Sequence, residues 1–178
     1  MNKLFKILGL GVLGASVSLA VQADGLDGIK VAVGDGSESS DVYQIAVLSD
    51  FGQSFFDNKL KLHWETGYTH WSADSGANQD IDVFSISPIF TYELGSADQG
   101  YVPYVDFSIG IAYLSDTEIG SKKLGQHFQF DDRLSVGVRF GGELEHDVAL
   151  GVRHVSNASM DDDNDGFDAV SLAYSFRF

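Results

Sequence analysis

The sequence contains no cysteine and only two prolines among its 178 residues. Without thiols the chain can form neither disulfide bonds nor thiolate metal sites, which excludes the class of exported domains held together by disulfides. Positive charge is also scarce, because 11 Lys and Arg stand against 26 Asp and Glu and leave a formal net charge of −15. A nucleic-acid partner is therefore excluded, since neutralising phosphates requires a basic face.

Long apolar runs are missing beyond the N-terminus. After Ala23 no stretch approaches the ~18 consecutive apolar residues of a helical membrane span. The N-terminus itself has two lysines, then a short apolar segment that ends in small residues at Ala23. This order predicts a cleaved secretory signal peptide over residues 1–23, because the run is short for a span and no stop-transfer pattern follows. The mature protein is then residues 24–178, which we predict to be one domain.

Alternation of apolar and polar residues with period two dominates the mature chain, and helical spacing is not sustained. For example, Val105, Phe107 and Ile109 alternate with Asp106 and Ser108. One face of each such segment is apolar and bulky, whereas the other is polar, charged or small. We predict eight strands, at about 27–36, 41–52, 59–70, 80–94, 101–114, 126–141, 145–156 and 167–178.

Two architectures fit this alternation: a soluble sandwich with the apolar face inward, and a membrane barrel with the apolar face outward. Strands of ~10–12 residues match a tilted bilayer crossing. Aromatic residues gather near the strand ends, and the chain closes with AYSFRF and a terminal Phe178, which resembles the C-terminal signature of outer-membrane barrels. We therefore predict an all-β fold, an eight-stranded antiparallel transmembrane β-barrel in the outer membrane of a Gram-negative bacterium. Closure leaves no unpaired backbone edge in lipid.

A barrel of eight strands encloses a lumen that side chains can fill. We predict that this barrel is not a pore and that polar side chains form a network of hydrogen bonds and ion pairs inside it. These residues are His63, Glu65, Asp106, Arg133 and Arg139. Three other histidines have no evident triad partners and are predicted to lie at the rim or in the lumen: His70, His127 and His146.

His154, Ser156 and Asp168 carry the three side chains of a hydrolytic triad on the apolar face of the last two strands. His154 and Ser156 are two residues apart, so they share a face, with Cβ atoms ~6–7 Å apart. If the hairpin pairs near its mouth, Asp168 faces His154 at a Cβ separation of ~4.5–5.5 Å. The histidine could then accept the serine proton while the carboxylate fixes its tautomer. Plain polar residues at a strand end are the alternative interpretation.

The even number of strands places both termini in the periplasm. The loop 157–166 is then extracellular, and the three candidate residues lie at the rim of the outer leaflet.

The segment RHVSNAS, followed by DGFDAVSL, resembles the lipid A 3-O-deacylase family (PagL type), eight-stranded outer-membrane enzymes with a His-x-Ser-Asn motif on strand seven. The resemblance implies that His154 and Ser156 are catalytic and that Asp168, fourteen positions after the histidine, completes the triad. The family's usual acid is Glu, so this chain departs from it by one methylene. The resemblance also implies that Asn157 holds the oxyanion or orients the substrate, and a turn-forming role is the alternative.

This resemblance implies an outer-membrane lipid A 3-O-deacylase. Such a serine esterase hydrolyses the 3-O-linked acyl chain of lipid A in lipopolysaccharide and releases a 3-hydroxy fatty acid without a cofactor. The alternatives are an outer-membrane phospholipase, which also uses a lipid-facing His-x-Ser pair, and a non-enzymatic structural barrel.

The acidic run DDDNDG imitates the start of a calcium-binding loop, but Leu172 occupies the position of the bidentate Glu. No metal site is predicted. Loosely bound divalent cations at this loop and a homo-oligomer are both left open.

Overall fold

The computed structural model describes residues 25–76 and 78–178, apart from the side chain of Phe51. The predicted signal peptide over residues 1–23 lies outside the described residues, so its cleavage stays a prediction. In the described part of the chain, no helix has the length and apolar character needed to cross a membrane.

Strands make up most of the described chain. They are β1 (Gly28–Gly36), β2 (Asp41–Phe55), β3 (Leu60–Ser72), β4 (Asp80–Glu93), β5 (Tyr101–Leu114), β6 (Glu118–Ile119), β7 (Lys122–Lys123), β8 (Phe128–Phe140), β9 (His146–Ser156) and β10 (Phe167–Arg177). Eight of them close a barrel in the order β1-β10-β9-β8-β5-β4-β3-β2, which confirms the predicted fold. β6 and β7 form a separate hairpin that was not predicted, because two-residue strands carry no alternation.

The two faces of each strand differ as the alternation requires. On β3, Glu65, Thr69 and Trp71 are buried inside the barrel, whereas Tyr68 and His70 point outward and are partly exposed. The outer wall carries large exposed apolar side chains, and Ile109 on β5 is 69% exposed. Such a wall would be unfavourable in water, but it matches the apolar band of a transmembrane barrel.

The lumen contains the predicted polar network. Arg133 forms salt bridges with Asp131, at 2.5 Å, and with Glu65, which also binds Lys30 at 2.8 Å. Arg153 Nε lies 2.8 Å from Asp131 Oδ1. Pairing of this kind offsets the cost of burying these charges inside the barrel.

The other predicted members of this network also point inward. His63 is buried at 6% exposure, and Arg139 lies 3.2 Å from Glu93 and 3.7 Å from Asp147. Asp106 lines an internal cavity of the barrel together with His63 and Arg133.

The two ends of the barrel differ in the length of their connections. One end has the turns 56–59, 94–100 and 141–145, and the other has the two longest loops, 115–127 and 157–166, together with the shorter β1–β2 and β3–β4 connections. Transmembrane barrels have short periplasmic turns and longer extracellular loops. The end that bears the loop 157–166 is therefore the outer end, as predicted.

An apolar cluster closes this outer end. Trp71 and Phe167 stack with ring centroids 4.0 Å apart, and both are fully buried. Ile119 and Leu124, from the loop that contains the β6–β7 hairpin, are also fully buried in this cluster. The barrel therefore has a packed plug at its outer end, in agreement with the prediction that it is not a pore.

Candidate active site at the outer rim

His154 and Asp168 face each other directly across the β9–β10 ladder, as the sequence predicted. Asp168 Oδ1 lies 2.7 Å from Nδ1 of His154. Both side chains point away from the lumen, since their neighbours Val155 and Phe167 are fully buried inside. The side chains are 47% and 73% exposed, which places this pair on the outer wall. The carboxylate is therefore positioned to fix the tautomer of the imidazole and leave Nε2 free to accept a proton.

Ser156 has the same outward parity as His154 at the last position of β9. It lies opposite Phe130 of β8 and is only 9% exposed. Among the described residues, none forms a hydrogen bond with its hydroxyl. The distance between a nucleophile and its base is often long in a ligand-free enzyme and shortens when substrate binds.

The backbone of Asp168 is held by a residue from the start of the chain. Ser37 lies in the short 3-10 turn Ser37–Ser39 between β1 and β2. Its Oγ accepts a hydrogen bond from the Asp168 amide at 3.0 Å. The candidate acid is thus fixed across the β1–β10 seam, where the barrel closes.

Gly166 allows the extracellular loop to approach the imidazole closely. Its φ is +63°, and a Cβ built there would lie 2.9 Å from Cε1 of His154. A side chain at this position would therefore meet both backbone strain and the histidine ring. The glycine keeps the loop packed beside His154.

Asn157 is fully buried between two loops rather than directed into an open site. Its Nδ2 donates to the carbonyl oxygens of Leu124, at 3.0 Å, and Asp163, at 2.8 Å. Its backbone amide donates to Asn164 Oδ1 at 2.9 Å. With these donors engaged, the contacts favour the loop-forming role over direct contact with an oxyanion.

Two residues near the site, Asp132 and Asn164, were not predicted from the sequence. Asp132 lies opposite His154 across the β8–β9 ladder, so the histidine stands between two strands that each present a carboxylate. Its even-numbered position on the apolar face of β8 was the available signal. Asn164 was hidden in an acidic loop without periodicity, and only its contact with Asn157 places it beside Ser156.

An open groove on the outer wall begins at His154 and Asp168. It continues over the apolar side chains of Val152, Val170 and Leu134, each of which is about half exposed. These residues face the acyl chains of the bilayer in a transmembrane barrel. The polar pair therefore stands at the end of an apolar surface that fits an extended hydrocarbon chain.

The acidic loop is organised by protein contacts. Asp165 Oδ2 accepts a hydrogen bond from the Lys123 amide at 2.7 Å, and Asp161 Oδ1 accepts one from the Asp163 amide at 3.1 Å. Within residues 25–76 and 78–178, no group of three or more His, Asp or Glu side chains is placed to hold a metal ion.

One prediction about the other histidines is wrong. His70 does have a carboxylate partner, because Asp82 lies directly opposite it on β4, with Oδ1 2.9 Å from Nδ1. The predicted strand ends at residue 70, two residues before the end of β3, so its pairing with β4 did not follow from the sequence. The other two have rim contacts: His127 Nδ1 lies 2.8 Å from the Leu114 carbonyl, and His146 Nδ1 lies 2.9 Å from the Tyr174 hydroxyl.

These features define a class: a closed transmembrane barrel whose outer wall bears a histidine paired with a carboxylate, with a serine two residues away. Residues 42–177 match the family model described as Lipid A 3-O-deacylase (PagL). The chain belongs to this family.

Known relatives support the assignment. The chain is 33% identical over 175 residues to "Lipid A deacylase PagL" of Pseudomonas aeruginosa, covering 95% of this chain and 96% of that one. It is 30% identical over 120 residues to the protein of the same name from Bordetella bronchiseptica, covering 67% of this chain and 64% of that one.

Solved structures agree with the fold. The crystal structure of the outer membrane enzyme PagL has a TM-score of 0.76 at 28% identity, covering 85% of this chain and 99% of that one. Neisserial surface protein A has a TM-score of 0.51 at 15% identity, covering 86% of this chain and 95% of that one, and shares the fold alone.

Proposed function

We propose that this protein is an outer-membrane lipid A 3-O-deacylase that works as a serine esterase through Ser156, His154 and Asp168. The observation that carries this proposal is the 2.7 Å contact between His154 and Asp168 on the lipid-facing wall, with Ser156 two residues away on the same face. Lipid A lies in the outer leaflet, so an enzyme that acts on its ester-linked chains needs outward-facing residues at this level.

Acyl transfer from the substrate would proceed in two steps. Ser156 Oγ attacks the ester carbonyl while its proton passes to Nε2 of His154, and Asp168 stabilises the imidazolium that forms. The sugar hydroxyl then leaves with that proton. Water attacks the acyl-serine by the same route and releases the 3-hydroxy fatty acid. The groove over Val152 and Val170 would hold the acyl chain.

The oxyanion needs hydrogen-bond donors near Ser156, each of which is worth ~3–4 kcal/mol in other hydrolases. Asn157 contributes by orienting the loop that supplies them. Its neighbour Asn164 accepts the Asn157 backbone amide through Oδ1 and so helps to hold this loop next to Ser156 in the chain.

Mass spectrometry of lipid A tests this proposal. Cells that express the wild-type protein should show lipid A lighter by one hydroxy fatty acid, and cells that express Ser156→Ala should not. Ser49→Ala is the matched control, because Ser49 also lies on the outer face, on β2. Identical spectra for wild type and Ser156→Ala, with both proteins folded in the outer membrane, would exclude the proposed reaction.

Purified phospholipid vesicles separate this function from that of a phospholipase. The deacylase should release no fatty acid from vesicles that lack lipid A, and it should release 3-hydroxy fatty acid once lipid A is added. Fatty acid release from pure phospholipid would identify the phospholipase instead. Repeating the assay with a chelator and with protein of known oligomeric state would test the cations at the acidic loop and the homo-oligomer.

A further inference from the structure

A second set of histidine, serine and aspartate side chains lies on the opposite wall of the barrel. His70 and Ser72 are two residues apart on the outer face of β3, and Asp82 faces His70 from β4. Asp82 Oδ1 lies 2.9 Å from Nδ1 of His70, the same pair of atoms that joins Asp168 to His154. Each serine lies two residues beyond its histidine, toward the outer end.

The barrel order makes the two sets diametrically opposed. In the closed ring, β8 and β5 separate the β9–β10 pair from the β3–β4 pair on one side, and β1 and β2 separate them on the other. Both pairs are hairpins whose loops lie at the outer end. Each set therefore faces the outer leaflet and can meet a different lipid molecule.

The acid of this second set is itself held in place. Tyr68 donates a hydrogen bond to Asp82 Oδ1 at 2.7 Å, and Ser115 Oγ accepts one from the Asp82 amide at 2.9 Å. The side chains of His70 and Asp82 are 38% and 43% exposed, so the pair is accessible from the wall. These two hydrogen bonds fix Asp82 in position beside His70.

We propose that Ser72, His70 and Asp82 form a second, slower acyl-ester hydrolysis site that acts on esters presented in the outer leaflet. Ser72 Oγ forms a bond to the acyl carbon as its proton passes to Nε2 of His70. The ester C–O bond breaks, and the leaving alcohol takes the proton from His70. Water then attacks the acyl-serine, yields the free acid and restores Ser72.

Two differences from the first site make this one slower. Ala73 follows Ser72 where Asn157 follows Ser156, so the second site lacks the side chain that binds the neighbouring loops at the first site. Those loops are proposed to supply the oxyanion donors, and loss of one such donor costs roughly 10²–10³ in rate. In addition, Asp80 Oδ1 lies 3.6 Å from Nε2 of His70 and competes with the serine for that nitrogen.

Labelling with an alkyl fluorophosphonate, which modifies activated serines, tests this site directly. In folded Ser156→Ala protein, peptide mapping should find the label on Ser72. The label should disappear in Ser156→Ala/His70→Asn and form several-fold faster in Ser156→Ala/Asp80→Asn. Ser49 is the internal control and should stay unlabelled in every variant.

Hydrolysis of p-nitrophenyl laurate gives a second readout. Ser156→Ala should retain activity roughly 10²–10³ below wild type, and Ser156→Ala/Ser72→Ala should lose it. Absence of label on Ser72, or equal rates for the single and double variants, would overturn the second site. Labelling of Ser156 in the wild-type protein is a separate result, so failure of either site is distinguishable from failure of the other.

Discussion

Asp168 lies directly opposite His154, and the 2.7 Å contact joins its Oδ1 to the imidazole Nδ1 across a single pair of strands. The family's usual acid is glutamate, which is longer by one methylene. In this chain the aspartate reaches the histidine because the pairing register brings the two backbones together and because Ser37 holds the Asp168 amide.

Asp168→Asn should abolish most of the activity. The amide keeps the shape of the side chain but loses the charge that stabilises the imidazolium, so kcat should fall by about 10²–10⁴. Asp168→Glu restores the charge and should lie much closer to wild type. Lipid A deacylation by purified protein measures both. Equal activity of the asparagine variant and wild type would remove Asp168 from the mechanism.

Asp132→Asn should have a much smaller effect than Asp168→Asn. Asp132 also lies opposite His154, but the pair is partly exposed, and such charge pairs are worth ~1 kcal/mol at most. The expected loss in kcat/KM is therefore no more than about fivefold. A loss as large as that of Asp168→Asn would make Asp132 the principal acid.

Gly166→Ala should reduce activity more than it reduces stability. The added Cβ would lie 2.9 Å from Cε1 of His154, so the imidazole must move. Gly52→Ala is a matched control, since Gly52 has a φ of +67° with nothing within 4 Å of the added Cβ. Both variants should lose about 1–2 kcal/mol of stability, measured by urea unfolding, but only Gly166→Ala should lose deacylation. Equal activity of the two would contradict the contact.

Asn157→Ala should loosen the extracellular loops. It removes the hydrogen bonds from Asn157 to the Leu124 and Asp163 carbonyls, and each such bond contributes ~0.5–1.5 kcal/mol. Hydrogen exchange in the loops 115–127 and 157–166 should therefore become faster, together with a fall in kcat.

Asn78→Ala is the control for this variant. Asn78 lies in the β3–β4 loop, across the barrel from Ser156. Its Nδ2 donates to the Glu118 carbonyl at 2.8 Å and so binds the β6–β7 hairpin within the loop 115–127. It should speed exchange of the hairpin and leave kcat near wild type. Unchanged exchange in Asn157→Ala with a large loss of kcat would instead support direct contact with the oxyanion.

Asp131→Asn should destabilise the barrel without any direct effect on the site. It leaves Arg133 and Arg153 without their shared carboxylate inside the lumen, and breaking a buried pair costs about 3–5 kcal/mol. A lower urea midpoint measures this. Asp57→Asn, at an exposed turn, should leave the midpoint unchanged. A small effect of Asp131→Asn would show that water replaces the lost ion pair.

The strands and their faces could be predicted because alternation with period two records which side of the sheet each residue occupies. The His154–Asp168 pairing followed from the same rule, since the two strands form one hairpin and their register depends on a single loop. The presence of Asp168 in place of the family's usual glutamate was also visible in the sequence.

Contacts between loops that are distant in sequence could not be predicted in this way. The binding of Asn157 to Leu124 depends on where the loop 115–127 folds back, and no periodic pattern encodes that. The His70–Asp82 pair was missed for another reason. Its separation of twelve residues depends on the length of the β3–β4 turn, which no periodic pattern in the sequence determines.

The bond between Ser37 and Asp168 joins the turn after β1 to β10, 131 positions apart in sequence. A polypeptide still in transit through the periplasm, or only partly inserted, lacks this bond, so only the β9–β10 pairing positions the acid beside its histidine. Full hydrolytic competence would arise only at the final stage of biogenesis. The lipids that the nascent chain passes on its way outward would thereby be spared.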